Sequence, residues 1–315
     1  MKTLFILFLT CLSHFVFAQL EKKFYDYKWE PCQPEKARYV SIVSKTDSGY
    51  QRQHYYLHEK SLQFTGLFDD ADCSFPNGQF LWFHSNKKVK TIGQYVNGKK
   101  EGAWVSYHDN SMMADSTFYK DNVETGIQMS WYSNGFTKDS LQILDDGSAV
   151  QVGWFDNGHI SHAGYFDPEG KKKGIWKYFH HNGGLSCKEI WKDGLVVDSQ
   201  YFREDGEAQL EGFVFNRPAI YPGGEKEWNK YVNKKCYFPI QYKIANADSA
   251  IVVVEYAINE EGVAEDIRVV SPFYPDFDKV AVDAIKGAKK WQPAIDHNRR
   301  VKFYQRFSLV FTQQE

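Results

Sequence analysis

His54 and His58 stand four residues apart, a spacing that places two imidazoles on one face of a helix and suits a metal ion. The residues around them, Tyr55-Tyr56-Leu57, favour a strand instead. In a strand, positions four apart are separated by about 13 Å, too far to share one ion. Both are therefore expected to be structural, and no metal is expected. His180-His181 adjoins Asn182-Gly183 and reads as a solvated loop pair. Cys32, Cys73, Cys187 and Cys236 lack the short paired spacing of a zinc site. Cys32 and Cys73 share the N-terminal segment, which makes them the candidate disulfide if the chain is exported, although four thiols allow three connectivities. No Gly-x-Ser-x-Gly elbow is present, and Gly223-Gly224 is not followed by the Gly-Lys-Ser/Thr of a phosphate loop. No catalytic residue and no cofactor is expected, so the chain reads as a non-enzyme.

The charge balance excludes further classes. A net charge of −2 gives no electrostatic case for binding nucleic acid or an anionic membrane. Lys2 followed by the apolar run Leu4 to Phe17 and by Val16-Phe17-Ala18 has the form of an export signal cleaved before Gln19. The run is shorter than the roughly 20 apolar residues of a bilayer span. Export to the periplasm, the cell envelope or the exterior is the expectation.

Downstream the chain repeats itself. Trp82, Trp104, Trp131, Trp154 and Trp176 follow one another at steps of 22, 27, 23 and 22 residues. Each is followed by an asparagine: Asn86, Asn110, Asn134, Asn157 and Asn182. Three of these precede glycine, which predicts type I′ hairpins with φ > 0 at both central residues. Second turns are expected at Asn97-Gly98, Glu169-Gly170 and Asp193-Gly194. The units Gly102-Ala-Trp104 and Gly174-Ile-Trp176 resemble MORN-type repeats, which implies an elongated array of stacked hairpins. The expected divisions are a signal (1–18), a cap with an irregular first repeat (19–76), the array (77–206), a connector (207–216) and a final domain (217–315).

The final domain opens on Tyr221-Pro222-Gly223-Gly224 and a helix-length run, Glu225 to Asn233. Val252, Val254, Tyr256 and Ile258 alternate as one face of a strand, and Asn259 to Gly262 makes the turn into a return strand with Ile267 and Val269. Phe277, Val280, Ala281, Ala284 and Ala288 form an amphipathic stripe, with Asp276 placed as its N-cap. A last strand follows Trp291-Gln-Pro293. The whole is expected to be mainly β: a hairpin array, then a small α+β domain with helices on an antiparallel sheet.

This ordered set of motifs resembles the C-terminal domain of the TonB energy-transducer family. The resemblance marks Tyr221, Pro222, Gly223, Gly224, Trp291 and Pro293 as structural motif residues. It implies binding of an extended partner peptide by strand addition. The edge would be Val301, Lys302, Phe303, Tyr304, Gln305, Arg306, Phe307, Ser308, Leu309, Val310, Phe311 and Thr312. The sequence departs from the family at Asn298-Arg299-Arg300, where Asn-Gly-Lys is common, and its ten scattered prolines make no spacer. Lys289, Lys290, Arg299, Arg300 and Lys302 form a basic cluster, expected chiefly as a solvated face. The leading expectation is an exported interaction protein with a protein partner, no nucleic acid and no small-molecule cofactor; a homodimer is allowed. An anchored energy transducer and a glycan binder using exposed array aromatics are the alternatives.

Overall fold

A computed structural model describes residues 21–212, 214–244 and 249–313. The expected export signal lies outside the described residues. Fifteen strands form one antiparallel meander in which sheet order follows chain order. The first five are β1 (Glu21–Tyr25), β2 (Tyr39–Thr46), β3 (Gly49–Tyr56), β4 (Ser61–Phe68) and β5 (Pro76–Phe83). The next five are β6 (Val89–Val96), β7 (Lys99–Tyr107), β8 (Met113–Lys120), β9 (Val123–Trp131) and β10 (Thr137–Ile143). The last are β11 (Ala149–Trp154), β12 (Ile160–Phe166), β13 (Lys172–Phe179), β14 (Leu185–Lys192) and β15 (Leu195–Tyr201). The sheet thus begins well before Asn77, where the sequence repeat first becomes regular. Trp29 stacks on Tyr39 at 4.3 Å beside its first strands.

The turns of the array are of two kinds. Asn97-Gly98 and Asp193-Gly194 have φ of 51° and 79°, and 51° and 78°, as type I′ turns require. The turns expected to be type I′ at Asn134-Gly135, Asn157-Gly158 and Asn182-Gly183 are corrected: only the glycines take positive φ, at 89°, 85° and 88°. Tyr132 N–H donates to Phe136 O at 2.8 Å and Gly135 N–H to Tyr132 O at 2.9 Å, which is a type I turn closed by a left-handed residue.

The asparagine has a different task. Asn134 Oδ1 accepts the Phe136 N–H, while its Nδ2 donates across to Asp156 O in the next loop at 2.9 Å. Asn86, Asn110, Asn157 and Asn182 make the same cross-loop bond, to Asp109, Ser133, His181 and Glu204. Asn134→Ala removes both bonds, so an unfolding free energy lower by about 1–2 kcal/mol is expected in urea denaturation.

Packing explains the tryptophan period. The Trp176 ring lies so close on Gly164 that a Cβ there would meet Trp176 Cδ2 at 2.0 Å, and Trp104 covers Gly93 with a corresponding 2.2 Å. The indole N–H groups donate to Tyr165 O at 3.0 Å and Gln94 O at 3.3 Å. Trp104 and Trp176 are buried, and Trp82, Trp131 and Trp154 are half-buried. Trp104 and Trp176 are therefore packing residues of the array, whereas Phe75, Phe118 and Phe136 are exposed.

The final domain contains α1 (Gly224–Lys235), β17 (Ser249–Ile258), β18 (Ala264–Ser271), α2 (Pro275–Lys286) and β21 (Phe303–Thr312). Three short strands accompany them: β16 (Asn216–Arg217), β19 (Ala294–Asp296) and β20 (Arg299–Val301). The main sheet has the order β18-β17-β21, and β16-β19-β20 form a second small sheet. Val252, Val254, Tyr256 and Ile258 are buried together with Trp228 and Val232 of α1 and with Phe277, Ala281 and Ile285 of α2. Both helices therefore cover one face of the main sheet. The helix begins earlier than Asp276 suggested: Tyr274 is the N-cap and Pro275 occupies the first turn, where its missing N–H and fixed φ cost nothing. Asp276 instead accepts bonds from Gln241 and Tyr242.

Candidate functional site

β21 pairs with β17 along its whole length, from Phe303 opposite Ile258 to Thr312 opposite Ser249. Among the described residues no strand pairs with its outer edge. Leu309 and Phe311 point into the core, and Phe307 packs on Trp228 of α1 at 5.5 Å. Phe303 and Gln305, also on that side, are half-buried. Tyr304, Arg306, Ser308, Val310 and Thr312 are exposed on the other side. Beyond the strand's end, Ile244 N–H donates to Gln313 Oε1 at 2.7 Å, and near its start Tyr304 donates to Asp266 at 3.3 Å and lies beneath the Lys138 ammonium at 5.2 Å.

Two residues expected on this edge lie elsewhere. Val301 pairs with Ala294 in the small sheet. Lys302 is held by Asp156 of the array at 2.7 Å, by Glu265 and by Asp266 at 3.6 Å, which fixes the chain between the two sheets. Burial alone would lower its pKa, yet the Asp156 and Glu265 carboxylates hold the ammonium above its ordinary value.

The motif residues are structural. Gly224 N–H donates to Tyr221 O at 2.7 Å, and Gly223, at φ 84°, is the N-cap of α1. Pro222 is exposed in that turn, and Pro293 O accepts from Arg217 at 3.0 Å. The Trp291 ring meets Tyr221, Trp228 and Tyr256, so it braces the first helix against the sheet.

Residues 234–312 match the family model for the Gram-negative bacterial TonB protein C-terminal. The final domain is TonB-like. The match takes in the end of α1 and runs through β21; Tyr221 to Gly224 precede it. No curated protein matches the chain.

Sequence reasoning missed the seam between the TonB-like domain and the array. The β19–β20 hairpin turns at His297-Asn298, with φ of 48° and 62°, and inserts into the array. His297 stacks on Tyr178 at 3.7 Å and bonds Glu189 at 2.9 Å. Glu189 is fully buried and also accepts from Trp191 and Cys187. Burial would raise its pKa, but those hydrogen bonds and the His297 charge hold it below the ordinary carboxylate value. Arg299 is buried against Ser161, Asp296 and Tyr178. At the other end of the seam, Arg38 donates to the Pro272 and Ile251 carbonyls, and Tyr39 bonds Ser271 at 3.0 Å.

The basic cluster is thereby corrected. Lys289 and Lys290 are exposed, but Arg299 and Lys302 are enclosed because array carboxylates and carbonyls receive them, and Arg300 meets Glu204 at 3.1 Å. One signal was legible: Glu189 alternates with Cys187 and Trp191 on an aromatic face, and a buried carboxylate there demands a partner.

The four described cysteines are free thiols, with Cys32 half-buried and Cys73 buried. Among the described residues no three His, Cys, Asp or Glu side chains are grouped to hold a metal. His54 packs against Trp29 and Phe64, and His58 against Phe273 and Tyr274 of the TonB-like domain. His180, expected in solvent, is buried and bonds Phe202 O at 2.9 Å, while His181 meets Asp156 at 3.4 Å.

Burial, then Arg299 and Lys172, push His162 down to about 4. A base held neutral stabilises the fold above its unfolded pKa of 6.5 and loses that contribution as pH falls toward 4. His162→Phe should flatten the stability profile across this window by roughly 2–3 kcal/mol, read from urea midpoints at pH 7 and pH 4.5.

Proposed function

We propose that this chain is a non-catalytic interaction protein of the bacterial envelope. Its TonB-like domain takes an extended segment of a partner protein as an additional strand on the outer edge of β21. The observation that carries this reading is the ten-residue strand with one edge unoccupied among the described residues, inside a domain that matches the TonB C-terminal family. Strand addition suits such an edge because the main chain supplies a row of donors and acceptors whatever the partner's sequence. The leader of Lys2 and the apolar run to Phe17 supports export. The MORN-like array serves as the platform on which the domain is seated.

Photocrosslinkers at Ser308 and Val310 in the source cell test the proposal. They should trap one partner through an extended segment. Proline placed in β21 where the N–H does not bond β17 should abolish the adduct. Trapping that survives such prolines would overturn strand addition.

A further inference from the structure

The face of the array that is turned to the TonB-like domain changes character in its middle. One cross-strand row runs Trp82, Thr91, Ser106, Asp115, Ser130 and Asp139 from β5 to β10, each residue in register with the next. On either side of this polar stretch the face is core. Phe64, Phe80 and Trp104 are buried in one cluster, and Trp176, Tyr178 and Cys187 in another. The repeat thus supplies aromatic packing at both ends and hydroxyls and carboxylates between them. Such a row does not serve a core, because polar groups buried without partners cost stability. Thr91 Oγ1 and Ser106 Oγ lie 3.1 Å apart, while the Asp115 and Ser130 side chains make no hydrogen bond or ion pair among the described residues.

The domain stands off from the array over this stretch. It is seated at one end through Tyr39 and at the other through His297 and Arg299, and between them it leaves a cavity of about 610 Å³. Thr91, Ser106, Asp115 and Ser130 line the array side, and Glu255, Arg268 and Tyr304 the domain side. Register shifts in β6 and β10 bring Lys90 and Lys138 into the same lining. Lys138 lies over the Tyr304 ring, whereas Lys90 is exposed to the cavity and makes no hydrogen bond or ion pair among the described residues.

The domain's carboxylates are already engaged. Glu255 accepts from Arg268 at 2.9 Å and from Arg306 at 2.8 Å. Asp266 accepts from Ser133 and Tyr304 and meets Lys302 at 3.6 Å. Asp109 of the lining is exposed. The enclosing walls and the Arg268 charge lower the Lys90 pKa, with Glu255 opposing, and an anion beside the ammonium would relieve that repulsion.

We infer that this cavity binds an anionic sugar, its carboxylate or phosphate held by Lys90 and Arg268 and its hydroxyls by Thr91, Ser106, Asp115 and Ser130. Sugar hydroxyls both donate and accept, so they match a row of alcohols around one carboxylate. Lys90 and Asp115 stand two strands apart, about 10 Å, which leaves room for a pyranose ring between them. The volume is that of a small-molecule site, for which such pockets span about 300–1,000 Å³. The site lies beneath the domain and operates whether or not β21 holds a strand.

Isothermal titration calorimetry on the full chain tests this with digalacturonate, trehalose 6-phosphate, neutral trehalose and inorganic phosphate at equal ionic strength. At least one acidic disaccharide should bind about tenfold or more tightly than trehalose and than phosphate. Binding of digalacturonate alone assigns the charge to a carboxylate, and binding of trehalose 6-phosphate alone assigns it to a phosphate. Lys90→Gln should remove most of the preference for acid over neutral sugar. Asp115→Asn should weaken the preferred disaccharide about fivefold. Neither change removes a bond within the protein, so urea midpoints should match wild type. If neither acidic disaccharide binds, or binding is unmoved by both variants, the site is refuted. Inorganic phosphate binding as tightly as the disaccharides would show that charge alone is read, which also overturns an anionic-sugar site.

Discussion

Arg299→Ala will uncouple the TonB-like domain from the array. Arg299 is 4% exposed and donates to both the carbonyl and the hydroxyl of Ser161 while meeting Asp296 at 3.3 Å. Its guanidinium also lies over Tyr178 and Phe155, at 5.2 Å and 5.5 Å. Its removal leaves the carbonyl and the hydroxyl of the buried Ser161 without their donor, which costs about 1–3 kcal/mol for each group. Because these contacts join two units with separate cores, calorimetry should show the native unfolding transition dividing into two. Arg300→Ala is the control. Arg300 and Glu204 are both about half exposed, and such pairs contribute about 1 kcal/mol or less. A single, unshifted transition in the Arg299 variant would mean that the hairpin does not hold the domains together.

Trp176→Ala is expected to have a comparable effect by another route. The side chain is 1% exposed, rests on Gly164, donates to Tyr165 O and lies beneath the Lys172 ammonium at 4.5 Å. Removing a buried tryptophan costs about 3–5 kcal/mol. In a stacked array each unit is stabilised mainly by its neighbours, so the loss should also loosen β12 and β14. Gly164→Ala should be destabilising as well, since its Cβ collides with the indole. Urea denaturation followed by near-ultraviolet circular dichroism checks both. Wild-type midpoints in these variants would refute the account of the tryptophan period.

The legible part of the molecule was written in short-range pattern. Alternation from Val252 to Ile258 placed a strand and its buried face, because side chains in a strand change sides at every residue. The stripe from Phe277 to Ala284 placed α2 for the corresponding helical reason. Gly262 announced its turn: it has φ 82°, and a Cβ there would meet Trp291 O at 2.1 Å. The asparagine period marked the loops, although local sequence did not distinguish a type I′ turn from a type I turn that spends the asparagine on the next loop.

What local pattern could not carry was the seam. His297 meets Glu189 across 108 positions and Arg299 meets Ser161 across 138, so nothing near Asp296 to Arg300 records the surface that receives it. A run of charges looks the same in sequence whether solvent or a distant carboxylate neutralises it. The same limit applied to Lys302, which read as part of an edge strand and is held by Asp156. The edge of β21 lies between these cases. Its alternation was legible, whereas the Glu255 carboxylate shared by Arg268 and Arg306 required the fold.

Hydrogen exchange along β21 tests the central claim most directly. In the free chain, amides of Phe303–Thr312 that do not bond β17 should exchange quickly while their neighbours are protected. Saturation with the partner segment trapped by the Ser308 and Val310 crosslinkers should slow that fast set alone. If those outward amides are already as protected as their neighbours in the free chain, or stay fast with peptide bound, β21 does not receive a strand.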